Sequence, residues 1–153
     1  MYYFPAYICQ KGHAISTLSP TCGDKYCTKC GAPISSKCPN CGNTIRGRAD
    51  DQYSFAGKYS VPAYCRDCGK PYPWTSAAIE ATTLMLQESD ISHEEQTKLI
   101  DVLPDVISET PNTRLAAFRF KKAIATGGSF IAEGLRQFVI DFGCELLKKQ
   151  MEL

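Results

Sequence analysis

Nine cysteines in 153 residues carry the clearest chemistry of this sequence. Eight metal-ligand residues form four closely spaced pairs: Cys9 and His13, Cys27 and Cys30, Cys38 and Cys41, and Cys65 and Cys68. Thiolate and imidazole are the donors that zinc takes in tetrahedral sites, and each structural site needs four of them. The pairs therefore predict two zinc ions in closed sites. Glycine follows each Cys-x2-Cys pair, as expected where the chain leaves a tight turn.

The spacing leaves the order of the pairs open. The linkers between successive pairs have 13, 7 and 23 residues. These lengths fit two sequential ribbons, which we favour, and also the cross-braced order of RING, PHD and FYVE modules. A site made of the two middle pairs ranks third, because it would leave the outer pairs without partners. His13 is the expected fourth ligand of the first site because it completes the count of eight. Cys22 is the alternative, either as a free thiol or as a substitute ligand.

Composition divides the chain after Trp74. Residues 1–74 hold eight of the nine cysteines, but only 10 of these 74 residues are Ile, Leu, Val, Phe, Met or Trp. Because so few apolar residues cannot form an ordinary core, metal binding must supply folding free energy. Residues 75–153 contain 26 such residues in 79, at helical spacing. We predict a small α+β protein with a double zinc-ribbon domain over 1–74, made of short β-hairpins and zinc knuckles, and a bundle of about four helices over 75–153.

Capping residues predict where these helices begin: at Thr75 or Ser76, at Ser92, at Thr110 with Pro111 in the first turn, and at Ser129. Pro104 is expected to end or kink the second helix. The fourth is predicted to be the longest, because an apolar stripe repeats along it every 3.6 residues: Ile131, Leu135, Phe138, Phe142 and Leu146. Cys144 falls inside this helix and is predicted to be a small core residue.

Charge and the remaining motifs argue against several functions. The 17 Lys and Arg nearly balance 16 Asp and Glu, which is not typical of a dedicated nucleic-acid binder or of a polybasic membrane protein. No apolar run reaches the roughly 18 residues of a membrane span, and the first ten residues lack the pattern of an export signal. We therefore expect a cytoplasmic protein with reduced thiols. No enzymatic activity is expected, because His93-Glu94-Glu95 has Thr97 where the HExxH motif needs a second histidine, and no catalytic residues are predicted elsewhere.

Longer strings around the ligands and in the helical part resemble one family. They are Cys9 with Gly12-His13, Tyr26-Cys27-x2-Cys30-Gly31-Ala32, Cys38-Pro39-x-Cys41, Ile45-Arg46-Gly47, the stretch from Pro62 to Thr75, Thr110-Pro111-x-Thr113, Phe120-Lys121-Lys122 and Glu145-x2-Lys148-Lys149. Over nearly the whole chain, the sequence resembles the bacterial domain-of-unknown-function family 2321. The resemblance implies a bacterial zinc-ribbon protein whose metal ligands are the eight residues of the four pairs. Cys22 is not part of that pattern.

Two functions are compatible with these features. The first, which we favour, is a non-enzymatic interaction module, an adaptor or scaffold whose helical part binds a protein partner or self-associates. The alternative is nucleic-acid binding by residues 1–74, where nine Lys and Arg oppose four Asp and tyrosines are interleaved. That charge of +5 falls to about +2 once the thiolates of two zinc sites are counted. A basic cluster at Arg119, Lys121 and Lys122 is expected to be a solvated helix face.

Overall fold

The computed structural model describes residues 2–51 and 57–153. The chain divides into two compact units, Met1–Ala77 and Ala78–Leu153. Short antiparallel strands and cysteine-rich turns precede a run of helices, which confirms the predicted small α+β class. None of the helices in the described ranges has both the length and the apolar character needed to cross a membrane.

Two small antiparallel sheets form in the first unit. Its strands are β1 (Tyr3–Pro5), β2 (Tyr7–Cys9), β3 (Ala14–Ser16), β4 (Ile34–Ser35) and β5 (Arg46–Ala49). β1 pairs with β5, and β2 lies between β3 and β4. In the second sheet, Ile8 lies opposite Ala14 on one side and Ser35 on the other. Because β2 ends at Cys9, the central strand leads directly to the first predicted ligand.

Cysteines take much of the place of an apolar core in this unit. Cys9, Cys27 and Ala32 form a buried cluster, and Ile15 and Ile34 pack against it. This agrees with the scarcity of large apolar residues in the first half of the sequence. The packing of this unit therefore depends on whether its cysteines bind metal.

Six helices lie within the described residues: α1 (Pro73–Gln87), α2 (His93–Asp101), α3 (Leu103–Ile107), α4 (Thr113–Thr126), α5 (Gly128–Phe142) and α6 (Glu145–Gln150). Four of them have nine residues or more, in line with the predicted bundle of about four. The core of the second unit includes fully buried Phe120 of α4, Leu135 of α5 and Leu147 of α6. The rings of Phe120 and Phe138 lie 6.5 Å apart between centroids, where α4 packs on α5.

The first helix departs from the prediction at its start, whereas the second agrees with the prediction at both ends. α1 begins at Pro73 rather than at Thr75 or Ser76, because proline lacks only an N–H that the first turn leaves unpaired anyway. Ser92 caps α2 as predicted, and its Oγ accepts a hydrogen bond from a first-turn N–H at 3.2 Å. α2 ends at Asp101, before Pro104, in agreement with the expectation that this proline ends or kinks the helix, and Pro104 lies in the first turn of the separate helix α3.

The predicted start of the third helix is wrong. α4 begins at Thr113, with Asn112 as its N-cap, instead of just after Thr110. The hydroxyl of Thr113 explains the delay: it accepts the N–H of Thr110 at 2.8 Å and lies 3.0 Å from the carbonyl oxygens of Asp105 and Ser108. These bonds hold the preceding residues in a turn.

The fourth predicted helix is broken in two. α5 ends at Phe142 and has 15 residues, the same number as α1, so the prediction that it is the longest helix is wrong. Cys144 lies outside both α5 and α6, is only half-buried, and donates its N–H to the Val106 carbonyl at 2.8 Å. This bond to α3 turns the chain, so that Leu147 rather than Leu146 is fully buried.

Candidate metal centres

Each Cys-x2-Cys pair lies in a turn of its own, and the three turns have the same pattern of backbone hydrogen bonds. At the first of them, the N–H of Cys27 donates to the Ala32 carbonyl at 2.8 Å, and the N–H of Gly31 donates to the Cys27 carbonyl at 2.7 Å. In the other two turns, the N–H of Gly42 donates to the Cys38 carbonyl and the N–H of Gly69 donates to the Cys65 carbonyl, both at 2.9 Å. The three glycines have φ of 74–76°, where a Cβ is disfavoured. The turns therefore have a common geometry that follows from the repeated Cys-x2-Cys-Gly sequence.

The Cys9 and His13 pair uses a shorter turn. The N–H of Gly12 donates to the Cys9 carbonyl at 2.9 Å, and the N–H of Cys9 donates to the His13 carbonyl at 3.1 Å. The N–H of His13 also lies 3.3 Å from Cys9 Sγ, where it can donate to the thiolate. The turn thus directs the sulfur and the imidazole to the same side.

The first metal group consists of Cys9, His13, Cys27 and Cys30. His13 Nδ1 lies 3.4 Å from Cys9 Sγ and 3.5 Å from Cys27 Sγ. Cys30 Sγ lies 3.7 Å from Cys9 Sγ. Cys9 and Cys27 are buried, His13 is half-buried and Cys30 is exposed. The structure therefore joins the first pair to the second.

The second metal group consists of Cys38, Cys41, Cys65 and Cys68. Cys38 Sγ lies 3.8 Å from Cys68 Sγ, and Cys41 Sγ lies 3.7 Å from Cys65 Sγ. The N–H of Asp67 approaches Cys65 Sγ at 3.4 Å as a hydrogen-bond donor to this sulfur. The third pair is thus joined to the fourth, so the two groups follow one another along the chain and are not cross-braced.

Both groups fit a tetrahedral zinc ion. Zinc–sulfur bonds of about 2.3 Å and zinc–nitrogen bonds of about 2.0 Å place tetrahedral ligands about 3.8 Å apart for two sulfurs and about 3.5 Å apart for sulfur and nitrogen. The separations of 3.4–3.8 Å between ligand atoms match these values. They are far longer than the roughly 2.05 Å of a disulfide. Two four-donor groups of thiolate and imidazole therefore fit two zinc ions, as predicted.

Electrostatics in the second group also favour a bound cation. Backbone N–H groups of Cys68 and Asp67 lower the pKa of Cys65 to about 6. The N–H of Asn43 lowers the pKa of Cys41, but burial and the neighbouring sulfurs of Cys65 and Cys38 outweigh it and raise that pKa to about 12. Crowded thiols therefore cannot all ionise on their own, and a divalent cation allows every one of them to be a thiolate.

In the first group, too, the pKa of one thiol is lowered and that of another is raised. Burial raises the pKa of Cys27, but the N–H groups of Lys29 and Cys30 and the side chain of His13 outweigh it and lower the pKa to about 6. For Cys30, the N–H of Ala32 lowers the pKa, while burial and the sulfurs of Cys9 and Cys27 give a net rise. The pKa is thus lowered for Cys27 in the first group and for Cys65 and Cys68 in the second, so these thiols ionise before their neighbours.

The other two cysteines lie outside both groups. Cys22 is half-buried, and its Sγ is 3.7 Å from the Asp24 carbonyl oxygen. Cys144 lies in the helical unit. Among the described residues, the structure therefore brings together the eight predicted ligands and places neither Cys22 nor Cys144 with them.

Sequence reasoning did not single out two aromatic residues beside the metal groups. The Tyr72 phenol interacts with the Cys65 thiol, and this interaction helps to lower the pKa of Cys65. Trp74 packs against the turn of the first group, where a Cβ on Gly12 would lie 3.0 Å from Trp74 Cβ. Its indole N–H donates to the Pro62 carbonyl at 2.9 Å. The available signal was the position of both aromatic residues just after the last Cys-x2-Cys pair.

Comparison with known proteins identifies a family through one family model. No curated protein and no solved structure matches this chain. The model described as "Uncharacterized protein conserved in bacteria (DUF2321)" matches residues 2–151, which include all eight ligand residues of the two metal groups. The chain therefore belongs to the family of uncharacterised proteins conserved in bacteria, DUF2321.

Proposed function

We propose that this protein is a non-enzymatic zinc-binding interaction module, an adaptor or scaffold for another protein in the bacterial cytoplasm. One observation carries the proposal: each metal group offers four protein donors at the separations of a complete tetrahedral shell. A catalytic zinc keeps one position for water or substrate, whereas a shell of four side chains serves structure. The zinc ions hold the first unit together as a double zinc ribbon and fix the surface that it displays.

Exposed apolar side chains on the second unit support the interaction role. They are Leu84, Leu115, Phe118, Phe130, Ile140 and Leu153. Single exposed apolar residues are ordinary in folded proteins. Leu115 and Phe118, however, are separated by three positions on α4 and therefore lie on the same face of the helix. Adjacent apolar side chains of this size form a surface suited to a protein partner or to a second copy of the chain.

Affinity capture tests this function. The zinc-loaded full chain is used as bait in a lysate of the native bacterium, with and without RNase and DNase, and the recovered proteins are identified by mass spectrometry. We expect the same protein partner with and without nuclease. We also expect Cys38→Ser, which removes a zinc ligand, to keep this partner, because the exposed apolar residues belong to the second unit, which has its own apolar core. Cys22→Ser is the matched control, because this thiol lies outside both metal groups, and it should retain the partner.

Nucleic-acid binding by the first unit is the second candidate. The observation that favours it is Tyr26, which is 63% exposed and lies in the sequence between Lys25 and Lys29, both of which are also exposed. An exposed aromatic ring between cations is a stacking platform for bases of a single strand. Recovery that depends entirely on intact nucleic acid, and that Tyr26→Ser abolishes, would support this candidate and contradict the protein-adaptor role.

A further inference from the structure

A groove lies on the second unit between α2 and α4. It is lined by the apolar residues Leu99, Leu115 and Phe118 and by the basic residues Lys98, Arg119 and Lys122, and it encloses about 140 Å³. Two of the basic residues come from the cluster that the sequence assigned to a solvated helix face. Arg119 and Lys122 line the groove, whereas Lys121 is exposed outside it.

The apolar part of the groove has room for one side chain. Leu99 is 1% exposed and forms the floor, while Leu115 and Phe118 are 43% and 65% exposed beside it. An apolar cavity of about 150 Å³ holds a group of the size of benzene. The groove therefore matches one phenylalanine or leucine side chain, which would cover the exposed Phe118 ring.

The charge around the groove is mainly positive. Lys98, Arg119 and Lys122 line it together with one acid, Glu95. The guanidinium of Arg119 donates from Nη1 to the Lys98 carbonyl at 3.0 Å, which holds the side chain at the rim. Lys98 Nζ lies 3.2 Å from Glu94 and 3.8 Å from Glu95, so the net positive charge of the rim comes from Arg119 and Lys122. A ligand with several carboxylates therefore complements this rim.

We propose that the groove binds an acidic segment of a partner protein that presents one aromatic or leucine side chain among Asp and Glu residues. The inference rests on the proposed interaction role and specifies the chemistry of the partner. Apolar burial provides the anchor, and Arg119 and Lys122 select for carboxylates around it. An acidic peptide fits better than nucleic acid, because the centre of the groove is an apolar recess sized for a side chain.

Fluorescence polarisation with synthetic peptides tests the inference on the zinc-loaded full chain. The probe is a short labelled peptide of glutamates around a single phenylalanine. It should bind at low salt, and Phe118→Ser and Lys122→Glu should each weaken binding by about tenfold or more. Phe130→Ser and Lys121→Glu are the matched controls, because both side chains are exposed on the same unit but do not line the groove. They should leave the affinity unchanged.

Several outcomes would overturn the inference. These are no binding of the probe, equal binding when serine replaces its phenylalanine or lysines replace its glutamates, and equal losses in the control variants. Preferential binding of an oligothymidine that Phe118→Ser abolishes would assign the groove to nucleic acid. If Phe118→Ser changes the sedimentation of the chain alone but leaves the affinity for the peptide unchanged, the groove serves self-association. If a captured partner survives Phe118→Ser, the groove inference fails while the adaptor role stands.

Discussion

The phenol ring of Tyr72 stacks on the indole of Trp74, with centroids 4.7 Å apart and planes 24° apart. Both side chains are buried. The Tyr72 phenol interacts with Cys65 of the second metal group and helps to lower the pKa of that thiol, and Trp74 packs on the Gly12 turn of the first group. This aromatic pair therefore lies beside both metal groups.

Tyr72→Phe should weaken the second zinc site selectively. The substitution keeps the ring that stacks on Trp74 but removes the hydroxyl whose interaction with Cys65 helps to lower the pKa of that thiol. Loss of such an outer-shell partner typically costs about 10–100-fold in metal affinity. We expect one of two zinc ions to transfer more readily to a chromogenic chelator. Tyr26→Phe is the control because its ring is exposed. Unchanged transfer in Tyr72→Phe would show that the hydroxyl does not support the site.

Replacement of His13 should weaken the first zinc site and spare the second. Its Nδ1 lies 3.4–3.5 Å from two sulfurs of the group, so His13→Ala leaves three protein donors. We expect elemental analysis to give two zinc ions for the wild-type chain and, after chelator competition, about one for His13→Ala. Cys22→Ser should keep both. The reverse result, with both ions kept in His13→Ala and one lost in Cys22→Ser, would replace His13 by Cys22 as the ligand.

The metal ligands were predictable because both members of each pair are close in sequence. A Cys-x2-Cys-Gly turn fixes its own hydrogen bonds, as at Cys27 and Gly31, so spacing alone indicates the chelating geometry. The choice between sequential and cross-braced pairing depends on contacts across linkers of up to 23 residues, and the structure was needed to decide it. The interaction of Tyr72 with Cys65 likewise depends on how the chain returns after the turn, which the sequence pattern does not specify.

Removal of zinc should unfold the first unit and preserve most helix in the second. The first unit depends on its sulfur clusters, whereas the second has its own apolar core around Phe120 and Leu135. Trp74 is the single tryptophan of the chain and lies in the first unit, so its fluorescence reports on that unit. We expect EDTA to shift this emission to the red while far-UV circular dichroism keeps most of its helical signal. Complete loss of that signal would show that the helices also require metal.

Helix types were easier to predict than helix ends. The apolar stripe through Ile131, Leu135 and Phe138 specifies a buried helix face, and all three residues are buried in α5. The stripe continues in sequence past Phe142, but the bond from the Cys144 N–H to α3 ends the helix there. Long-range hydrogen bonds of this kind do not appear in a local pattern, so periodicity overestimates the length of the helix.

Gly47→Ala should destabilise the first unit without removing a ligand. Gly47 is buried in β5, and a Cβ there would lie 2.7 Å from the carbonyl oxygens of Phe4 and Thr17 and 2.9 Å from that of Pro5. Because these are backbone atoms, relief requires the strands to move apart, at a cost of about 1–3 kcal/mol. Urea unfolding followed by Trp74 fluorescence should show the lower midpoint. Gly23→Ala is the matched control, since its Cβ would meet no atom within 4 Å. Equal midpoints for the two variants would mean that β5 accommodates the methyl group.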